Sequence, residues 1–138
     1  MTDTNRDDGA GRDVDRSGFT GILEALVGSC GDGVAAVLVD HEGESVDYAG
    51  ALSPFDVKLA GAYWQIVLRE ARGCRLLGQL RELSVRTERL SFVVSPLHEG
   101  YCLVLVCGGR TSGGAPQAAL QRARSALCRE AGWPEDSG

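Results

Sequence analysis

Two places in this 138-residue chain set an imidazole beside a carboxylate, His41-Glu42 and His98-Glu99. That pairing can serve acid–base chemistry or hold a metal. Both dipeptides fall in expected turns, neighbouring residues do not converge on one atom, and no partner cluster stands by, so they read as solvated turn residues. Five cysteines, Cys30, Cys74, Cys102, Cys107 and Cys128, could supply nucleophiles, metal ligands or disulfides. Their number is odd, no two form Cys-x-x-Cys, and each sits in or beside an apolar stretch. Buried free thiols are the expectation, with a disulfide or metal framework as the alternative. Gly108-Gly109-Arg110-Thr111-Ser112-Gly113-Gly114 precedes a helix as a phosphate-cradling loop would, but lacks the Gly-Lys-Ser/Thr ending. It reads as a flexible connection, with anion binding the sharper alternative. No Gly-x-Ser-x-Gly elbow and no arguable Cys–His pair is present. No catalytic residue, metal site or cofactor is expected.

The totals narrow the classes further. Apolar residues make up 43% of the chain and charged residues 24%, which fits one soluble domain with a real core. The net charge of −5 argues against a nucleic-acid binder. No apolar run is long enough to span a membrane, and the first 16 residues lack the apolar segment of a secretion signal, so a cytoplasmic protein is expected. Residues 1–16 read as a disordered tail, 17–133 as the domain and 134–138 as a short polar tail.

The elements that would position these side chains follow from periodicity. Ser17 is a plausible cap for a first helix bearing Phe19, Ile22, Leu23, Leu26 and Val27, which ends at Gly28 and Gly31. Residues 34–39 are a short, unbroken apolar run rich in valine, hence a central strand, and residues 44–49 return as its hairpin partner. Ser53-Pro54 opens a second helix, which Gly73 stops. Residues 79–88 alternate, with charges suited to an edge strand. Residues 90–94 form a further strand, and residues 101–107 another, again central. A third helix begins near Ala115-Pro116 and ends at Gly132. It buries Ala119, Leu120, Ala123, Leu127 and Ala131, with Arg122, Arg124 and Arg129 off that side. Those arginines read as a solvated face or as a surface for an acidic partner. Hairpin-length turns make the sheet largely antiparallel, and three helices can cover both faces.

The second helix carries the most information. Lys58, Ala62, Gln65, Arg69 and Arg72 fall on one narrow stripe, while Phe55, Val57, Leu59, Ala60, Tyr63, Trp64, Ile66, Val67 and Leu68 fill most of the rest. One sheet needs an apolar arc only somewhat wider than about 100°. This helix has roughly twice that arc, so it must bury a second face, and another copy of itself is the simplest cover.

The element order, the central apolar strands and this doubly apolar helix resemble the Roadblock family, the dynein light-chain-like domains. Gly33-Val34-Ala35-Ala36-Val37-Leu38-Val39-Asp40-His41-Glu42-Gly43 is similar to the family's first hairpin. Residues 101–107, Arg110-Thr111-Ser112-Gly113 and the arginine-bearing helix are similar to its last strand, loop and helix. The likeness covers residues 19–133 and is nearest to the bacterial Roadblock regulators of a Ras-like GTPase of cell polarity and gliding motility.

The resemblance implies an α+β fold: a five-stranded antiparallel sheet with the second helix on one face and the first and third on the other. It implies a homodimer through the second helices and the following edge strand, for which Tyr63, Trp64, Val57, Val67, Leu83 and Val85 are the candidates. It also implies a small Ras-like GTPase as partner, docked on Lys58, Gln65, Arg69 and Arg72. Such a regulator stimulates hydrolysis by rearranging the GTPase's own catalytic residues, without supplying an arginine finger. A non-regulatory adaptor and a small-ligand sensor are the competing readings, the latter requiring converging polar groups between sheet and helix.

Overall fold

The computed structural model describes residues 12–109 and 116–134. Its elements are α1 (Thr20–Gly28), β1 (Gly33–Val39), β2 (Ser45–Gly50), α2 (Pro54–Arg72), β3 (Leu83–Arg86), β4 (Leu90–Pro96), β5 (Cys102–Gly108) and α3 (Gln117–Ala131), with short 3-10 turns at Arg75–Leu77 and His98–Gly100. The strand order is β2-β1-β5-β4-β3, and every neighbouring pair is antiparallel. The two unbroken apolar runs form β1 and β5, adjacent in the interior of the sheet, and the charged, alternating segment forms the edge strand β3. This is the α+β architecture expected from the sequence.

One face of the sheet carries α2, whose Val57, Trp64 and Leu68 pack on Val37, Val39, Val94, Val104 and Val106. The other face carries α1 and α3, whose Leu23, Leu26, Leu120 and Leu127 pack on Ala36, Leu38, Leu103 and Leu105. Strand alternation divides β1 and β5 between the two cores. In the first hairpin a bulge between Leu38 and Val39 shifts the pairing of β1 with β2. Val46 packs on the α1/α3 side and Tyr48 on the α2 side.

The helix ends follow local chemistry. Ser53 Oγ accepts the Asp56 N–H at 3.1 Å and Pro54 takes the first helical position, so α2 begins where capping predicts. α3 ends on Gly132 at φ 77°, a left-handed backbone that glycine adopts freely. α1 opens at Thr20 with Phe19 in the capping position, not at Ser17. The Ser17 hydroxyl is occupied elsewhere, donating to Asp47 Oδ2 at 2.7 Å.

That bond belongs to a larger correction. Residues 1–11 lie outside the described residues, but 12–16, assigned to the tail by composition, lie on the domain. Arg12 pairs with the buried Asp47, and its Nη1 donates to the Tyr48 carbonyl at 2.7 Å. Asp13 receives the Tyr48 hydroxyl at 2.7 Å and pairs with Lys58. Three of the charges that make this segment look unfoldable have partners on the domain: Arg12 on β2, Asp13 on α2, and Arg16 with Glu24 on α1.

Candidate protein-interaction surface

α2 is the element with most left to bury. Its inward face is Val57, Gly61, Trp64, Gln65 and Leu68. Gly61 sets the approach distance: a Cβ there would stand 2.9 Å from Val39 Cγ2, so any side chain would push the helix off β1. Trp64 lies against Phe92, ring centroids 5.1 Å apart. On the opposite side Phe55, Leu59, Tyr63 and Ile66 form a stripe at spacings of four, four and three residues, each between 53% and 73% exposed. Leu76 and Leu77 continue this apolar character just beyond the helix, both exposed. Large apolar side chains scattered singly over a surface need no explanation, but a contiguous stripe of them does. Covering the part of each that is still exposed would contribute about 1–2 kcal/mol.

The structure has two apolar faces on this helix, but rotates them relative to the sequence reading. Of the candidate dimer residues, Val57 and Trp64 belong to the chain's own core, while Tyr63 is exposed and Val67 half-buried. Leu83 and Val85 on β3 are also half-buried, packed against the α2-side core. Of the candidate partner residues, Gln65 is only 1% exposed and cannot dock anything. Its Nε2 donates to the carbonyls of Asp40 at 2.7 Å and Gly100 at 2.9 Å, tying two turns to the helix. Lys58 is held by Asp13. Arg69 is exposed but donates to the His41 carbonyl at 2.6 Å, and Arg72 is exposed. The polar stripe thus flanks the buried face, reaching over the sheet's turns. The outward face is apolar.

The strap of residues 12–17 surrounds Asp47 and reaches Lys58 with charged and polar groups. The Asp47 side chain is fully buried. Burial pushes its carboxyl upward, but hydrogen bonds from Thr20, Arg12 and Ser17 outweigh that and hold it below the usual carboxylate range. The Asp13 carboxyl is also lowered, first by its bond from Lys58 and then by the bond from Tyr48. The Arg12 guanidinium lies over the Tyr48 ring, 4.9 Å from its centroid.

The other candidate groups do not assemble. His41 and His98 remain in turns beside Glu42 and Glu99, and among the described residues no cluster could hold a metal. No disulfide joins any of the five cysteines, all of which lie among the described residues. Burial pushes the Cys102 thiol up to about 12 and Cys107 up to about 11, keeping both protonated and unreactive. Cys74 departs from expectation: it is exposed just past α2. Residues 110–115 of the glycine-rich loop lie outside the described residues. Arg124, read as lying off the buried side of α3, bonds the buried Ser95 hydroxyl and donates to the Pro96 carbonyl at 2.7 Å, anchoring α3 to the end of β4.

No protein-family model matches the chain, and no curated protein matches it. Solved structures do. The gliding protein MglB of Thermus thermophilus superposes with a TM-score of 0.72 at 24% identity, over 83% of this chain and 89% of that one. An MglB with a tetrameric arrangement gives 0.71 at 24% identity, over 81% and 86%. A Roadblock/LC7 domain from Streptomyces avermitilis gives 0.64 at 21% identity, over 78% and 89%. With its strand order, its single helix on one face and its pair on the other, the chain has the Roadblock/LC7 fold.

Proposed function

We propose that this chain is a homodimeric Roadblock-type regulator of a small Ras-like GTPase. Two copies pair through the outer stripe of α2 and the edge of β3, and the dimer docks the GTPase and stimulates its hydrolysis. The observation that carries the reading is the stripe of Phe55, Leu59, Tyr63 and Ile66, lying opposite an already satisfied core face. A second copy is its natural cover, because a twofold contact matches an apolar patch to itself. The similarity to MglB structures, one of them in a tetrameric arrangement, supports self-association and a role in gliding or polarity.

Docking falls to the exposed arginines beside the stripe. Arg69 and Arg72 lie in the last turn of α2, and Arg75 follows in the 3-10 turn. Doubled by the twofold, they form a basic surface on a chain of net charge −5. The regulator need not touch the nucleotide. It favours the arrangement in which the GTPase's own glutamine orients water and its own arginine meets the developing phosphate charge.

The test is GTP hydrolysis by a Ras-like GTPase from the same genome, with wild-type chain against Arg69→Glu/Arg72→Glu. Stimulation by the wild type, loss in the double variant and an unchanged dimer are expected. Equal stimulation by both removes these arginines from the contact. Binding with no stimulation by the wild type favours the adaptor reading.

A further inference from the structure

Cys30 and Cys107 come together where the sheet makes room for them. Gly33 stands opposite Cys107 in the pairing of β1 with β5. A Cβ at Gly33 would lie 3.1 Å from Cys30 Cβ and 2.5 Å from the Val27 carbonyl oxygen. The Cys30 side chain thus takes the place that a Gly33 side chain would fill, across from Cys107. Residues opposite one another in an antiparallel pair project to the same face. Both cysteines accordingly belong to the α1/α3 core, Cys107 buried in it and Cys30 partly exposed at its margin. Cys102 lies in the other core, under α2, and Cys74 is exposed beyond that helix.

The two thiols also interact. Burial raises the Cys30 thiol and Asp32 raises it further, while a hydrogen bond from Cys107 opposes both. Burial, then the neighbouring Cys30 and Asp32, keep the proton on Cys107. The Cys30 thiol itself donates to the Leu26 carbonyl at 3.2 Å. Cys30 is therefore the more accessible sulfur, and Cys107 the one that donates to it. A disulfide needs Cβ atoms about 3.5–4.5 Å apart. Cys30 lies in the turn between α1 and β1, where a small adjustment breaks no helix or strand ladder. We propose that Cys30 and Cys107 form a reversible disulfide when a hydroperoxide oxidises the chain, a latch that ties the end of α1 to the central strand. Cys30 reacts first. Its sulfur attacks hydrogen peroxide, an S–O bond forms as the O–O bond breaks, and one water leaves. Cys107 acts second, on the oxidised sulfur and not on the oxidant. The S–S bond forms, the S–O bond breaks, and the Cys107 proton departs with the hydroxide as a second water. Two thiols have lost two electrons and the peroxide has become two waters. Burial shields Cys107 from an oxidant in solvent, but not from a neighbouring sulfur already held against it.

The test uses the full chain carrying Cys74→Ser, which removes the exposed thiol and leaves four of the five cysteines. The chain is treated with hydrogen peroxide, and its thiols are counted after unfolding in denaturant. The count should fall from four to two, and dithiothreitol should restore it. Peptide mapping without reductant should find Cys30 joined to Cys107 within one chain. The oxidised chain should unfold at higher urea than the reduced one, because the bond closes a long loop. Cys30→Ser in the same background should keep its thiols through the same treatment. Serine can still donate to the Leu26 carbonyl, so this variant should fold. Cys107→Ala leaves Cys30 with no second thiol, and a dimedone-reactive sulfenic acid should then accumulate on Cys30. Four thiols surviving in the Cys74→Ser chain, a disulfide joining any other pair, or equal thiol loss with and without Cys30 would overturn the proposal.

Discussion

The two edges of the sheet end in opposite ways. At β2 the backbone groups of Tyr48 are already taken: its N–H donates to Asp47 Oδ1 at 2.8 Å and its carbonyl accepts from Arg12. Residues 12–17 lie over that edge as a strap fastened on the buried Asp47. At β3 the sheet stops at a four-residue strand, preceded by the exposed Leu76 and Leu77. An unpaired edge offers hydrogen-bonding groups to any other strand, and proteins close such edges unless they use them. One end of this molecule is closed by polar groups of its own chain. The other is left open among the described residues, and it is the end that the proposed dimer uses.

The largest effect is expected from unfastening the closed end. Asp47→Ala leaves Arg12, Ser17 and Thr20 without their shared acceptor at a buried site. It should lower stability by about 3 kcal/mol, seen as an earlier midpoint in urea, while leaving self-association by the folded protein intact. A near-normal midpoint would show that the strap adds little to the fold and would remove the contrast between the edges. At the open end the sign pattern should invert. Leu59→Asp places a charge on the outer stripe of α2, which is solvated in the single chain. It should weaken pairing by about 2 kcal/mol or more, roughly thirtyfold in sedimentation equilibrium, while the fold loses no more than about 0.5 kcal/mol. Unchanged self-association would move the dimer contact elsewhere.

Acid should sharpen the comparison most gently. The folded Asp47 carboxyl lies below its ordinary value. Its stabilising contribution is therefore fully present above the unfolded value, about pH 4, and is lost as pH falls through the lower folded value. Amide exchange at Tyr48, whose N–H donates to this carboxylate, should quicken over that interval before β5 loses protection. Loss of protection at both sites together would mean that the strap does not open on its own.

Most of the fold is legible in the sequence because its signals are local. Ser53-Pro54 and Gly73 bound α2, and the unbroken runs in β1 and β5 announce strands covered on both faces. The site is half legible. Periodicity reveals two apolar arcs on α2 but not which one meets the sheet, so it offers Trp64 to a partner and Gln65 to solvent. The deciding facts are distant. Gln65 is buried because carbonyls 25 and 35 residues away, at Asp40 and Gly100, converge on its amide. Gly61, which lets this face approach Val39, gives no apolar signal of its own. The strap escapes a sequence reading for the same reason: Arg12 and Asp13 look like solubilising charges until Asp47, Tyr48 and Lys58 are brought beside them.

The central place of β5 has a consequence for how the chain comes off the ribosome. β1 and β4 are not bonded to each other; each pairs with β5, which follows both in sequence. Until residues 102–108 emerge, the nascent protein is two separate hairpins with α2 between them, and the inner flanks of β1 and β4 stand bare. The strand that joins them is buried along nearly its whole length. Interruption of synthesis before it would release a chain with two sticky flanks and no centre, the kind of species that chaperones hold.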